Sequence, residues 1–327
     1  DLILSIFSEE RFTPGKIPDF VVGVDDPTES GILPGVNLSS EKILSIRSQF
    51  LEEASDLLMF GKNSSFQLKS TLLSSTLNNI VVYIRFADET EFEIGQAYFT
   101  SLFNSSISNA NSVFNYFKEA SYNSLDVVSS FYPANNGTII TSYRDPHIRN
   151  YYREYSTSND SGYNNFSESM SREWKLVENA VNSVKNQIPS SLSLDYNNDG
   201  EIDNVCFIVR GDETTWNSLL WPHKNAYLGE EIYINSKKLW NYIIEPELFL
   251  TTGVSTICHE MFHSLGAKDL YHYNSGGITP VCYWDIMALN LEPPQSMGAY
   301  MKYRYGGWID SIPEITQSGH YTLNPVT

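Results

Sequence analysis

The stretch HEMFHSLGAKD, residues 259–269, restricts the fold more than any other feature of the chain. His259 and His263 stand four residues apart, and an α-helix puts residues at that spacing on one face, a turn apart. Two imidazoles so placed can aim at one ion. Zinc accepts histidine nitrogen at roughly 2.0–2.1 Å, and catalytic zinc sites take three protein ligands plus water. Glu260 lies about 100° around the helix from His259. It is badly placed to join the pair as a ligand but can reach a water on the metal, which is the mechanical content of HExxH. The plain alternative is a helix with two incidental histidines. Two further features weigh against it. Gly266 lets the chain leave the helix sharply, so Asp269 can swing back as a third, oxygen ligand, with Tyr271, His272 and Glu292 as competing donors and a turn-capping Asp269 as the bland alternative. Downstream, Met287 lies in CYWDIMALN, and a methionine beneath a three-ligand zinc after this motif is the Met-turn arrangement. Met287 taken alone reads as core.

The rest of the chain reads as strands alternating with helices, which predicts an α/β or α+β catalytic domain. Residues 1–78 open with loop signals at Pro14, Pro18, Pro27 and Pro34. An amphipathic helix, SSEKILSIRSQFLEEASDLLMF, follows, and then a Ser-rich linker. A domain boundary is placed near Asn78. From there IVVYIRF predicts a buried strand, residues 111–120 a helix and residues 125–132 a strand. The segment SESMSREWKLVENAVNSVKNQI predicts a helix capped by Ser167 or Ser169, DNVCFIVRG another buried strand, and residues 253–265 the motif helix. The catalytic domain is expected over 79–310. Residues 311–327 read as the start of a C-terminal β segment, cut short.

A second cation site is expected in DYNNDGEID. Asp195, Asn197, Asp199 and Asp203 fall at positions 1, 3, 5 and 9 of a calcium loop, with Gly200 at position 6 and Glu201 offering its carbonyl at position 7. Position 12, usually a bidentate Glu, is Cys206. The alternative is an Asx-rich turn before a strand. His223, in LLWPHK, reads as a loop histidine.

Composition narrows the function. With 39 acidic against 21 basic residues the net charge is −18, so a polyanion is repelled and nucleic acid is excluded as a first reading. The three cysteines, Cys206, Cys258 and Cys282, form no CxxC pair and no disulfide scaffold. No apolar run is long enough to span a membrane.

Taken in order, NNIVVYIRFAD, SVFNYFKEASYNSLDV, LDYNNDGEIDNVCFIVRG, LLWPHK, HEMFHSLGAKDLY, YWDIMA and YGGWID resemble the M6 metallopeptidases, the immune inhibitor A family within or near the metzincins. The blocks cover residues 79 to about 310, and residues 1–78 match nothing in that family. The resemblance implies an α+β zincin-like catalytic domain: a twisted sheet with an active-site helix and a backing helix, and a cleft between two subdomains. It also implies a secreted or cell-surface bacterial endopeptidase acting on protein or peptide substrates. Zn2+ would be held by His259, His263 and Asp269, with Glu260 as general base. Ca2+ is expected as a structural ion, and a monomer as the assembly. Most metzincins have a third His where this chain has Asp269. Candidates for stabilising the oxyanion are Tyr271 and Tyr283, with Tyr300 and Tyr303 behind them. Residues 1–78 are expected to be an inhibitory prosegment, with Asp25 or Asp26 reaching the zinc, or else an accessory region. The competing reading is a non-catalytic protein- or glycan-binding module on the same scaffold. The presence of Glu260 speaks against it, because a pure binder needs no base.

Overall fold

The computed structural model describes residues 75–135, 139–212, 218–271, 280–312 and 314–320. The amphipathic helix of the N-terminal extension, Asp25, Asp26, His272 and residues 321–327 fall outside these.

Strand β1 (Ser75–Arg85) is an interior strand that pairs with three others. Its run from Ile80 to Ile84 is wholly buried, as expected for a strand covered on both faces. Helices α1 (Gln96–Asn104) and α2 (Val113–Ala120) follow, then β2 (Leu125–Tyr132), the short β3 (Tyr143–Arg144) and the long α3 (Phe166–Val184). Next come β4 (Asn204–Val209), β5 (His223–Ala226), the small β6–β7 hairpin (Tyr233–Ile234 and Lys237–Lys238) and β8 (Asn241–Pro246). The described helices end with α4 (Glu247–Thr252), the motif helix α5 (Ser255–Ser264) and a short helix, Ala299–Met301, that widens into a π turn.

The main sheet runs β2-β1-β4-β8-β5, with β3 also paired to β1. All its pairings are parallel except the last, where β5 lies antiparallel to β8 at the edge. The fold is therefore mixed α/β on a mixed sheet. Alternate residues of each strand feed two cores. Val81, Tyr83, Cys206, Ile208 and Ile243 face α1, α2 and α5, whereas Val82, Ile84, Phe207 and Ile244 face α3. Each fully buried Val or Ile contributes roughly 1.5–3 kcal/mol.

Two expectations need correction. The first strand starts at Ser75, not after Asn78, because the polar residues at its head are paired rather than solvated. Asn79, fully buried, donates to Ser129 Oγ at 3.0 Å and accepts from Asn204 Nδ2 at 2.7 Å. The long helix is capped by Asn165, whose side chain accepts from Glu168 N at 2.9 Å, two residues before the earlier serine. Residues 314–320 are not in a strand, and residues 321–327 of the expected C-terminal β segment lie outside the described ones.

Candidate metal centre

Helix α5 is fixed at both ends. Its first turn lacks a side-chain cap of its own. Glu292 supplies one from a distant loop, its Oε2 accepting from Ser255 N at 3.0 Å. Gly253, at φ +144°, makes room for this: a Cβ there would stand 1.9 Å from the Glu292 carboxyl carbon. At the other end Gly266 takes φ +93°. Its N–H donates to His263 O at 2.9 Å and the next N–H, of Ala267, to Phe262 O at 3.2 Å. That pair of bonds is a Schellman stop. It turns the chain back, and Asp269 arrives against the histidines as the sequence predicts.

The three predicted ligands converge. His259 Nε2 and His263 Nε2 lie 3.1 Å apart. Asp269 Oδ1 is 3.0 Å from the first and 3.3 Å from the second. All three residues are buried, and among the described residues this is the sole group of three or more His, Cys, Asp or Glu with donor atoms within 4.8 Å of one another. Bonds of about 2.0–2.1 Å in a tetrahedral shell put ligand atoms roughly 3.3 Å apart, so the triangle has the size zinc requires.

Tautomer chemistry sharpens the fit. His259 Nδ1 lies 2.8 Å from the Ile286 carbonyl and His263 Nδ1 2.8 Å from the Ala267 carbonyl. A carbonyl only accepts, so both Nδ1 atoms carry hydrogen. In the neutral rings both Nε2 lone pairs then point at each other and at a carboxylate. Three converging lone pairs need a cation. A proton on one ring meets that need as a metal ion would, and the electrostatics favour one. Burial lowers the basicity of His259, but its hydrogen bond to Asp269 and the charges of Glu260 and Asp269 outweigh that and lift its pKa to about 9. Burial pushes the Asp269 carboxyl up, yet the two histidines hold it far below the ordinary range.

The Met287 turn makes the backing wall. Met287 is fully buried in the core beneath α5. Asp285, buried next to it, accepts from Met287 N at 2.8 Å and Gly298 N at 2.6 Å. This fixes the Ile286 carbonyl that orients His259, while Met287 O accepts from Leu270 N at 2.7 Å, one residue past Asp269. Sequence reasoning named Met287 and missed Asp285, Ile286 and Ala267, and it offered Glu292 as a competing ligand where the structure makes it a helix cap.

Glu260 is 6% exposed, and its Oε2 is buried without a hydrogen-bond partner among the described residues. A carboxylate left so is an acceptor for a water or a substrate proton. Of the oxyanion candidates, Tyr271 stacks on His259 at 6.4 Å between ring centres and hydrogen-bonds Asp269. Burial, followed by the Asp269 and Glu260 charges, raises its phenol. It steadies two ligands. Tyr283 is 54% exposed, Tyr303 is exposed as well, and Tyr300 packs on the core. Another carboxyl that sequence reasoning missed, Glu245 on β8, is fully buried with neither oxygen bonded among the described residues, and burial followed by the Glu260 charge pushes its pKa well up.

The acidic loop is built differently. Asp195 accepts from Asp199 N and Gly200 N, each at 3.0 Å, and its Oδ2 meets Lys237 Nζ at 2.6 Å. Asp199 Oδ1 accepts from Glu201 N at 2.8 Å, and Asp203 accepts from Tyr196 N. Asn197 donates to Asp199 at 2.7 Å. The structure thus sets a lysine ammonium against the loop's most buried carboxylate.

His223 is not a loop histidine. It starts β5, is buried, and donates both ring N–H groups, to Trp221 O at 2.6 Å and Glu173 Oε1 at 3.0 Å. The sequence signal was present in Glu173, a charged residue on the buried face of α3. All three cysteines are free thiols, and among the described residues no helix is long and apolar enough to cross a membrane. No model of a known protein family matches the chain, and no curated protein matches it.

Proposed function

We propose that the chain is a zinc-dependent endopeptidase of the zincin type, with His259, His263 and Asp269 as metal ligands and Glu260 as general base. The observation that carries this reading is the convergence of two Nε2 lone pairs and a carboxylate oxygen, within 3.0–3.3 Å of one another, next to a buried glutamate oxygen with no partner. Bound zinc would act as the Lewis acid that polarises the peptide carbonyl and acidifies water. Glu260 takes a proton from the attacking water and returns it to the leaving amine nitrogen. Asp269 brings negative charge to the ligand set, and the Ile286 and Ala267 carbonyls hold the two rings in register. Strand β5 supports a peptide substrate: among the described strands it is a sheet edge, α5 packs against it, and an extended peptide can add to such an edge by main-chain hydrogen bonds. The order of sequence blocks supports assignment to the M6 type, and with it a secreted or cell-surface bacterial enzyme that works as a monomer.

The test compares wild type with Glu260→Ala for zinc content and for casein hydrolysis. The substitution should keep zinc and fold and lower the rate by about 10²–10⁴. Retention of more than a tenth of the activity would remove Glu260 from the mechanism. Zinc without any protein cleavage by wild type would point to another hydrolase reaction.

A further inference from the structure

Strand β5 carries a cation that no ion pair explains. Lys224 pairs across the sheet with Ile243, so both side chains lie on one face. Ile243 packs in the core with Ile257, Cys258 and Met261 of α5. Lys224 therefore projects to the metal side of the sheet edge, while its neighbours His223 and Asn225 turn to the other face and bond Glu173 of α3. Lys224 is half-buried and makes no hydrogen bond or ion pair among the described residues, in a chain with 39 acidic side chains for 21 basic ones. The charges that act on it are Lys268, Glu260 and Glu201. Lys268 immediately precedes the ligand Asp269. Burial, followed by the like charge of Lys268, outweighs the pull of Glu260 and Glu201 and brings the Lys224 pKa down to about 8, so the ammonium is poorly solvated where it stands. Glu260 and Glu201 favour the ammonium through space, but no described residue bonds it directly, which leaves the site open to an anion that does.

We propose that Lys224 binds a carboxylate of the peptide substrate. The proposal rests on the peptidase reading for its substrate class. A peptide added along β5 sends alternate side chains to the α5 face, where Lys224 stands. The carboxylate is an acidic side chain or a chain terminus, and the two are told apart by experiment.

The experiment uses full-length Glu260→Gln protein, so that peptide is not consumed, and fluorescence anisotropy with fluorescein-labelled decapeptides of Ala and Ser. One set is C-terminally amidated and carries a single Glu at each position in turn, each next to its Gln twin. A second compares free-acid with amidated ends. At one position the Glu peptide, or else the free acid, should bind roughly tenfold or more tightly than its neutral twin, the gain of a hydrogen bond to a charged group. Lys224→Met, added to Glu260→Gln, should remove the difference and Lys224→Arg should keep it, with equal melting temperatures excluding misfolding. Equal binding of every twin pair, absence of binding by all peptides, or discrimination that survives Lys224→Met overturns the assignment. Survival would put the carboxylate on the metal instead. Cleavage of neutral peptides by wild type without discrimination would leave the peptidase reading standing and remove this one. Discrimination without cleavage would do the reverse.

Discussion

The metal centre and the acidic loop were both expected to hold a cation, and they are built on opposite plans. At the metal centre each ligand's other polar atom is occupied by the protein: Ile286 O takes His259 Nδ1, Ala267 O takes His263 Nδ1, and Tyr271 bonds Asp269. The unspent lone pairs are thereby aimed at one point. In the Asp195–Asp203 loop the carboxylates spend themselves on their own backbone N–H groups, and the positive charge comes from Lys237. Spacing alone does not separate the two cases. What separates them is what the non-ligating atoms do. His223 makes the control: a buried histidine with both nitrogens donating, to Trp221 and Glu173, has nothing left to ligate with and serves as a fixed charge.

The largest expected effect breaks the control. Glu173 accepts from His223, Asn225 and Tyr242, so Glu173→Ala leaves a buried imidazolium unpaired. Removing one partner of a buried pair costs about 3–5 kcal/mol, and zinc content should stay unchanged. The pair also has a pH signature. Burial depresses the His223 pKa, but the Glu173 charge and hydrogen bond and the Trp221 carbonyl more than offset it, to about 9. The folded pKa is thus raised, so the stabilisation is complete below the unfolded value near 6.5 and is lost as pH rises through 9. Urea unfolding from pH 6 to 10 should show wild type losing of the order of 3 kcal/mol more stability in that window than Glu173→Ala. Parallel curves would make His223 an ordinary neutral core histidine.

A middle-sized effect loosens the wall behind the metal. Asp285→Ala frees Met287 N and Gly298 N and lets the Ile286 carbonyl drift from His259. Outer groups of this kind usually cost 10–100-fold in metal affinity, which competition with a chromophoric chelator reads directly. Unchanged affinity would mean that α5 alone sets the ligand geometry.

The smallest effect belongs to the acidic loop. If calcium enters at all it must displace Lys237 from Asp195. With a dissociation constant in the 10⁻⁴–10⁻³ M class, 1 mM Ca2+ adds only about 0.4–1.4 kcal/mol. Thermal unfolding with and without calcium should show that shift in wild type, a larger one in Lys237→Met and none in Asp199→Ala. The same response in Asp199→Ala as in wild type would reduce the loop to a turn.

How much of this was legible in the sequence follows from how local each signal is. His259, Glu260, His263 and Gly266 could be read because one helix and its stop fix their relation. The carbonyls of Ile286 and Ala267 could not, since backbone atoms carry no letter and their aim depends on a turn assembled from Asp285 and Gly298. Strand β4 was readable as a continuous apolar run because both its faces are buried. Strand β5, His-Lys-Asn-Ala, was not: it is a short edge whose inward polar groups are satisfied by Glu173 on a helix far away in sequence. Ser75–Asn79 was taken for linker for the same reason, its polarity being absorbed by Ser129 and Asn204.

The most direct test of the difference between the two sites is zinc per chain after exhaustive dialysis, measured by elemental analysis on wild type, Asp269→Ala and Asp199→Ala. A catalytic zinc site takes three protein ligands, so wild type and Asp199→Ala should each retain about one zinc per chain and Asp269→Ala close to none. Full zinc in Asp269→Ala, or a loss in Asp199→Ala equal to that in Asp269→Ala, would contradict the account.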